Sequence, residues 1–139
     1  MKISLIQPGR NNLKYLKWSY DSIRKNQGNH EVEICVADDF SNDGTWDWCL
    51  EMMEKDTNFK AIRNEGPGRL GHTILYDTLV NEVATKDICM IYHADMYLFP
   101  SHDPGGCKGG SILVRLTIVF SLICFSIAFN ASGHKYISA

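Results

Sequence analysis

The chain has 139 residues, 45% of them hydrophobic and 22% charged, with a formal net charge of −2. That length supports one domain with a modest core and excludes a multidomain enzyme within these residues. The near-neutral charge gives no reason to expect nucleic acid as a partner, so any polyanionic ligand would need a metal or local basic residues. The five cysteines, Cys35, Cys49, Cys89, Cys107 and Cys124, show no C-x-x-C pair and read as small core thiols in a reducing compartment. Met1-Lys2 runs straight into Ile3-Ser4-Leu5-Ile6 with no secretory leader, which predicts a cytoplasmic location for the amino-terminal part.

Taken in order, Ile3 to Ile6 predicts a short strand closed by a loop over residues 7–12, with Asn11 or Asn12 as the N-cap of a helix. Leu13, Leu16, Tyr20 and Ile23 follow helical spacing. Val32 to Ala37 reads as a buried strand that ends in Asp38-Asp39 and a Ser41-Asn42-Asp43-Gly44 turn. A second helix follows on Trp46, Cys49, Leu50 and Met53, capped by Asp43 or Thr45. Phe59 to Ile62 is a weaker third strand leading into a glycine-rich loop, after which Ile74, Leu75, Leu79 and Val83 mark a third helix. Asp87 to Tyr92 reads as a fourth buried strand, finishing on His93-Ala94-Asp95. This alternation predicts an α/β fold, a mainly parallel sheet with helices on both faces and the strand ends on one edge. Ligands of such sheets collect at that edge.

Four motifs in this order resemble the nucleotide-binding half of a family 2 glycosyltransferase with the GT-A (Rossmann-like) fold, over residues 1–100. They are Pro8-x-x-Asn11, the Asp-Asp-x-Ser-x-Asp-Gly-Thr segment from Asp38 to Thr45, the glycine loop Asn64, Gly66, Gly68 and Gly71, and His93-Ala94-Asp95. The resemblance implies a nucleotide diphosphate sugar of UDP type, Mg²⁺ or Mn²⁺, and inverting transfer to an acceptor hydroxyl whose identity the sequence does not name. It further implies that Pro8, Asn11, Asp38, Asp39, Arg69 and His93 line the donor site and that Asp95 holds the metal. Two departures bear on this. His93 stands where the family's Asp-x-Asp begins, and the acceptor-binding half expected after residue 100 is unrecognisable, so the sheet reads as truncated after the fourth strand. Donor binding with weak or absent transfer is therefore the expectation, and a non-catalytic nucleotide-binding remnant or scaffold is the alternative.

Each motif has a competing structural role. A carboxylate at Asp38 or Asp39 can accept from a uracil-like imide N–H or a ribose hydroxyl, or can close an Asx-turn and cap a helix, a task Asp43 or Thr45 could also serve. Asp39-x-Ser41-x-Asp43-Gly44 begins like an EF-hand loop, but Leu50 stands where the bidentate Glu should be, and a strand precedes it. At the fourth strand's end a hard cation could bridge a diphosphate to Asp95, with His93 as a second ligand or as a strand-end histidine. Imidazole tilts the choice toward Mn²⁺. A zinc site from His72, His93, His102 and Asp103 lacks any supporting spacing. The glycine loop is neither a Walker A nor a Rossmann fingerprint. Arg69 within it either pairs with a phosphate or is a solvated loop arginine. Trp18, Trp46 and Trp48 read as packing.

Residues 101–111 form a Gly-rich linker, 112–131 a strongly apolar segment whose single charge is Arg115, and 132–139 a tail. The charge-free core, Leu116 to Phe129, is shorter than the roughly 20 residues a bilayer span needs, although a snorkelling Arg115 would extend it to Ile112. Three readings stand: membrane association at the cytoplasmic face through 112–131, a packed strand or helix, or sequence unrelated to the first hundred residues after a shifted reading frame.

Overall fold

The computed structural model describes residues 1–98. The linker, hydrophobic segment and tail expected over 101–139 lie outside the described residues. The elements run β1 (Lys2–Gly9), α1 (Leu13–Asn26), β2 (Glu31–Asp38), α2 (Thr45–Lys55), β3 (Phe59–Arg63), α3 (His72–Thr78) continuing into a π-helical turn (Leu79–Val83), and β4 (Ile88–Ile91). All four strands are parallel, in the order β3-β2-β1-β4. The order reverses between β1 and β4, and this reversal opens a crevice beyond their carboxyl ends.

Side chains alternate across the strands, so each strand contributes to two cores. Ile3, Leu5, Val32, Ile34 and Val36 face one way and pack with Leu16 and Ile23 of α1 and Trp48, Cys49 and Met52 of α2. Ile6, Cys35 and Ala37 face the other way, against Leu75 and Leu79. Helices thus cover both faces, two on one side and α3 on the other. Burial pushes the Cys35 and Cys49 thiols up to about 12, which suits inert packing groups.

Several elements depart from the pattern expected of them. β1 continues through Gln7-Pro8-Gly9 instead of turning into a loop there. Proline is tolerated because Ile6 directs its carbonyl at Tyr92 N (3.0 Å), so Pro8, two residues on, faces the same side, and β4 has already ended at Ile91. In α2 the buried face is Trp48, Cys49 and Met52, while Leu50 is exposed. Trp48 wins that position by meeting Tyr20 and Phe59 edge-on, at 5.8 and 5.6 Å between centroids. In α3 Leu75 and Leu79 are buried, whereas Ile74 is exposed. β4 is shorter than expected and half-exposed, because it is the outer strand of the described sheet; Tyr92, just past it, is the buried residue.

Glu33 lies on β2 at 2% exposure and is fully partnered. It accepts from Ser4 Oγ (2.6 Å), Thr85 N (2.9 Å) and Thr85 Oγ1 (2.7 Å), and pairs with Lys60 Nζ at 2.8 Å. Burial alone would raise its carboxyl, but Lys60, Ser4 and Thr85 together outweigh that and hold it at about 2. A depressed folded-state value means that the stabilisation is complete above about pH 4.5, the unfolded value, and is lost as pH falls toward 2. Urea melts from pH 7 to pH 2 should show wild type losing on the order of 2–3 kcal/mol more than Glu33→Gln over that window. Parallel pH profiles of the two proteins would contradict this role.

Candidate active site

β2 leaves the sheet at Asp38, whose carboxylate is fully buried. Its register partner is Arg63, the last residue of β3, and Arg63 Nε lies 3.3 Å from Asp38 Oδ2. The same guanidinium donates to the Ser41 carbonyl at 3.1 Å and sits between the rings of Phe40 and Trp46, 5.9 and 5.7 Å from their centroids. Asp38 therefore faces inward and holds the turn. Phe40 takes φ +61, uncommon for a bulky residue, and its ring packs against Gly66. A Cβ on Gly66 would fall 2.6 Å from Phe40 Cδ2, and Gly66 itself has φ +68, so glycine is required there twice over.

Asp39 points the opposite way, into the glycine-rich loop. Its Oδ1 accepts from Asn64 Nδ2 (2.8 Å) and Leu70 N (3.1 Å), and its Oδ2 accepts from Gly71 N at 3.4 Å. Burial by itself would raise the carboxyl; the bonds from Asn64, Leu70 and Gly71, with the positive charge of Arg10, hold it below the ordinary carboxylate range. Asn64 also bonds the Gly68 carbonyl and receives Gly66 N, and so shapes the loop.

The turn after β1 is stitched to the acidic turn. Asn11, at φ +50, accepts Asn42 N (2.9 Å) and donates its own N–H to Ser41 Oγ (2.8 Å). Neither Asn11 nor Asn12 caps α1; Asp43 does this from the neighbouring crossover, accepting Leu13 N at 3.1 Å, while its other oxygen takes Thr45 N at the start of α2. One carboxylate serves two helix starts, which a reading along the chain could not reveal.

Beyond β4, Asp95 is exposed and His93 is half-buried. The Tyr76 hydroxyl of α3 lies 3.3 Å from His93 Nδ1 and 3.4 Å from Nε2, with the rings nearly perpendicular. Burial raises the Tyr76 phenol, and the Asp95 carboxylate adds to the rise, so these three groups form one cluster. Registers Gly9↔Asp38 and Ile6↔Ile91 put Asp39 and Asp95 on the same carboxyl rim. They stand on opposite sides of β1, two strand spacings or roughly 10 Å apart.

Of the residues expected at the site, Asn11, Asp38, Asp39, His93 and Asp95 gather on this rim, with Pro8 beneath it in β1. Arg69 is exposed in the loop and makes no contact with either carboxylate. Two residues escaped the sequence reading: Tyr76, on a helix face that looked like plain periodicity, and Arg10, whose charge lies beside Asp39. Arg10 did leave a signal, as a basic residue in the turn leaving β1. A cleft of about 330 Å³ also lies against the acidic turn, lined by Phe40, Trp46, Asp47 and Arg63 among others, but Asp39, His93 and Asp95 do not line it.

An exposed carboxylate with an imidazole two residues away is a chemically suitable but incomplete donor set for a hard divalent cation. No group of three or more His, Cys, Asp or Glu side chains gathers among the described residues, so further ligands would have to come from a substrate or water. No helix among the described residues is long and apolar enough to cross a membrane.

A four-stranded parallel sheet with its order reversed at β1 and carboxylates on the open rim defines an α/β nucleotide-binding architecture. The chain belongs to glycosyl transferase family 2, whose model matches residues 4–105. Solved structures of GT-A glycosyltransferases share the fold. The mannosyltransferase PcManGT from Pyrobaculum calidifontis, in complex with GDP-Man and Mn²⁺, superposes with a TM-score of 0.57 at 24% identity, over 69% of this chain and 28% of that one. S. aureus TarS 1–349 in complex with UDP gives 0.56 at 27% identity, over 70% and 28%. The chain thus spans less than a third of the length of either. No curated protein matches the sequence.

Arg63→Met should cost about 3–5 kcal/mol, because it strands a buried carboxylate without its partner. Adding Asp38→Asn should recover a substantial part, measured by denaturant unfolding as a double-mutant cycle. Strictly additive losses would show that the two side chains are not coupled.

Proposed function

We propose that the crevice at the end of β1 binds a nucleotide diphosphate sugar of UDP type, with Mg²⁺ or Mn²⁺, as the donor site of a glycosyltransferase. The observation that carries this reading is the convergence of Asp39 and Asp95 on one rim, astride the point where strand order reverses. Asp39 accepts the imide N–H of the base, in keeping with its acceptor-only chemistry. Asn11 and Asp38 hold the loops that shape the pocket. Asp95, with His93 beside it, holds the divalent cation together with the donor's diphosphate. The cation supplies Lewis-acid stabilisation of the departing diphosphate. His93 is steadied by Tyr76, and Arg69, unpaired with either carboxylate, is available to a phosphate. Membership of family 2, GDP-Man and Mn²⁺ in PcManGT, and UDP in TarS support the donor class and the metal.

Transfer itself needs a base to take the acceptor hydroxyl's proton as the new C–O bond forms and the nucleotide diphosphate leaves with the old bond's electrons. No described residue on this rim is placed for that task by its contacts, so the described part is a donor-binding module.

Calorimetric titration of UDP-sugars with Mn²⁺ into the full chain should give saturable heat. Asp95→Ala should weaken binding at least tenfold and remove its dependence on Mn²⁺. Silence with every nucleotide sugar, or unchanged metal-dependent binding by Asp95→Ala, would refute the assignment.

A further inference from the structure

Arg10 is a basic side chain whose position calls for a partner. Its Nε is buried and makes no hydrogen bond among the described residues, although a guanidinium keeps its charge and its donors in any surroundings. It occupies the turn leaving β1, at the switch point. That turn adjoins Asp39, whose backbone N–H donates to the Gly9 carbonyl at 2.9 Å. The Arg10 charge also contributes to the lowered carboxyl of Asp39, which places the two side chains within electrostatic reach. Asp39 has capacity to spare on one side only: Oδ1 is taken by Asn64 and Leu70, whereas Oδ2 holds a single long bond from Gly71 N.

We propose that Arg10 and Asp39 act as a donor–acceptor pair that reads the nucleobase, Asp39 Oδ2 taking a ring N–H while Arg10 donates to the carbonyl oxygen next to it. This rests on the donor-site reading above and extends it to a rule for base choice. Uracil and guanine both present a carbonyl beside a ring N–H. Cytosine and adenine present an amino group beside a bare ring nitrogen, whose lone pair would face the carboxylate and whose amino hydrogens would face the guanidinium. A site built to bond one edge rejects the other strongly, because its own polar groups are then left unpaired. Arg10 belongs to the base and not to the diphosphate, since the candidate diphosphate ligands His93 and Asp95 lie across β1, beyond β4.

The test is calorimetry of the full chain with UDP, GDP, CDP, ADP and inorganic pyrophosphate, each with Mn²⁺, for wild type, Arg10→Met, Arg10→Gln and Arg10→Lys. Wild type should bind UDP and GDP at least tenfold more tightly than CDP and ADP. Arg10→Met should weaken UDP about tenfold and CDP less than twofold, collapsing the discrimination, and Arg10→Gln and Arg10→Lys, which keep a donor, should restore part of it. Thermal melting checks that the variants are folded, and any one of the three that folds suffices. Unchanged discrimination in a folded variant lacking the guanidinium overturns the proposal. So does an equal loss for UDP, CDP and pyrophosphate, which would make Arg10 a phosphate contact. Failure of wild type to bind any nucleotide diphosphate would instead strike the donor-site reading itself.

Discussion

The open rim of the sheet depends on the ion pair between Asp38 and Arg63. It joins the last residue of β2 to the last residue of β3, and through the Ser41 carbonyl it extends to the turn beyond. The rings of Phe40 and Trp46 cover the guanidinium and keep water from competing for it. Removing either charge would leave the other buried and unpaired. With the end of β2 held in this way, the next side chain must project to the other side, and so Asp39 is delivered toward the glycine-rich loop and the crevice. Two adjacent carboxylates thus acquire different tasks, one inward and structural, one outward and available.

The same logic recurs lower in the sheet. Glu33 ties β2 to β1 through Ser4, to β3 through Lys60, and to the approach to β4 through Thr85. Above it, the three loops on the rim bind one another: Asn11 to the acidic turn, Asp43 to both helix starts, and Asp39 to the glycine-rich loop. A rim connected in this way loses little conformational freedom when a ligand arrives, which favours binding.

The strands were legible because β-branched apolar runs broken by turn residues carry their own signal, and the carboxylates were legible because acids rarely close such runs without a reason. What remained hidden were features decided by distant partners. Nothing near Arg63 in the sequence announces Asp38, since their pairing needs the β2–β3 register. Pro8 looked like the end of β1 because the early ending of β4, which frees its side of the strand, lies 80 residues on. Helix faces went astray where two periodic readings competed: Trp48 and Leu50 are both apolar, and only the aromatic contacts with Tyr20 and Phe59 decide between them. Residues that act through others, such as Tyr76 beside His93, left no local mark.

The π-helical turn closing α3 bears on how this chain can change. Such a turn amounts to one amino acid slipped into an α-helix, here with Ala84 N reaching back to the Leu79 carbonyl. Deleting a single position between Leu79 and Thr85 would restore ordinary winding, but would rotate everything after it by about 100° around the helix axis. Thr85 would swing off Glu33 and the outer strand would fall out of step with its neighbour. Spacing in this segment is therefore under tighter restraint than side-chain identity, and lineages should vary its letters more readily than their number.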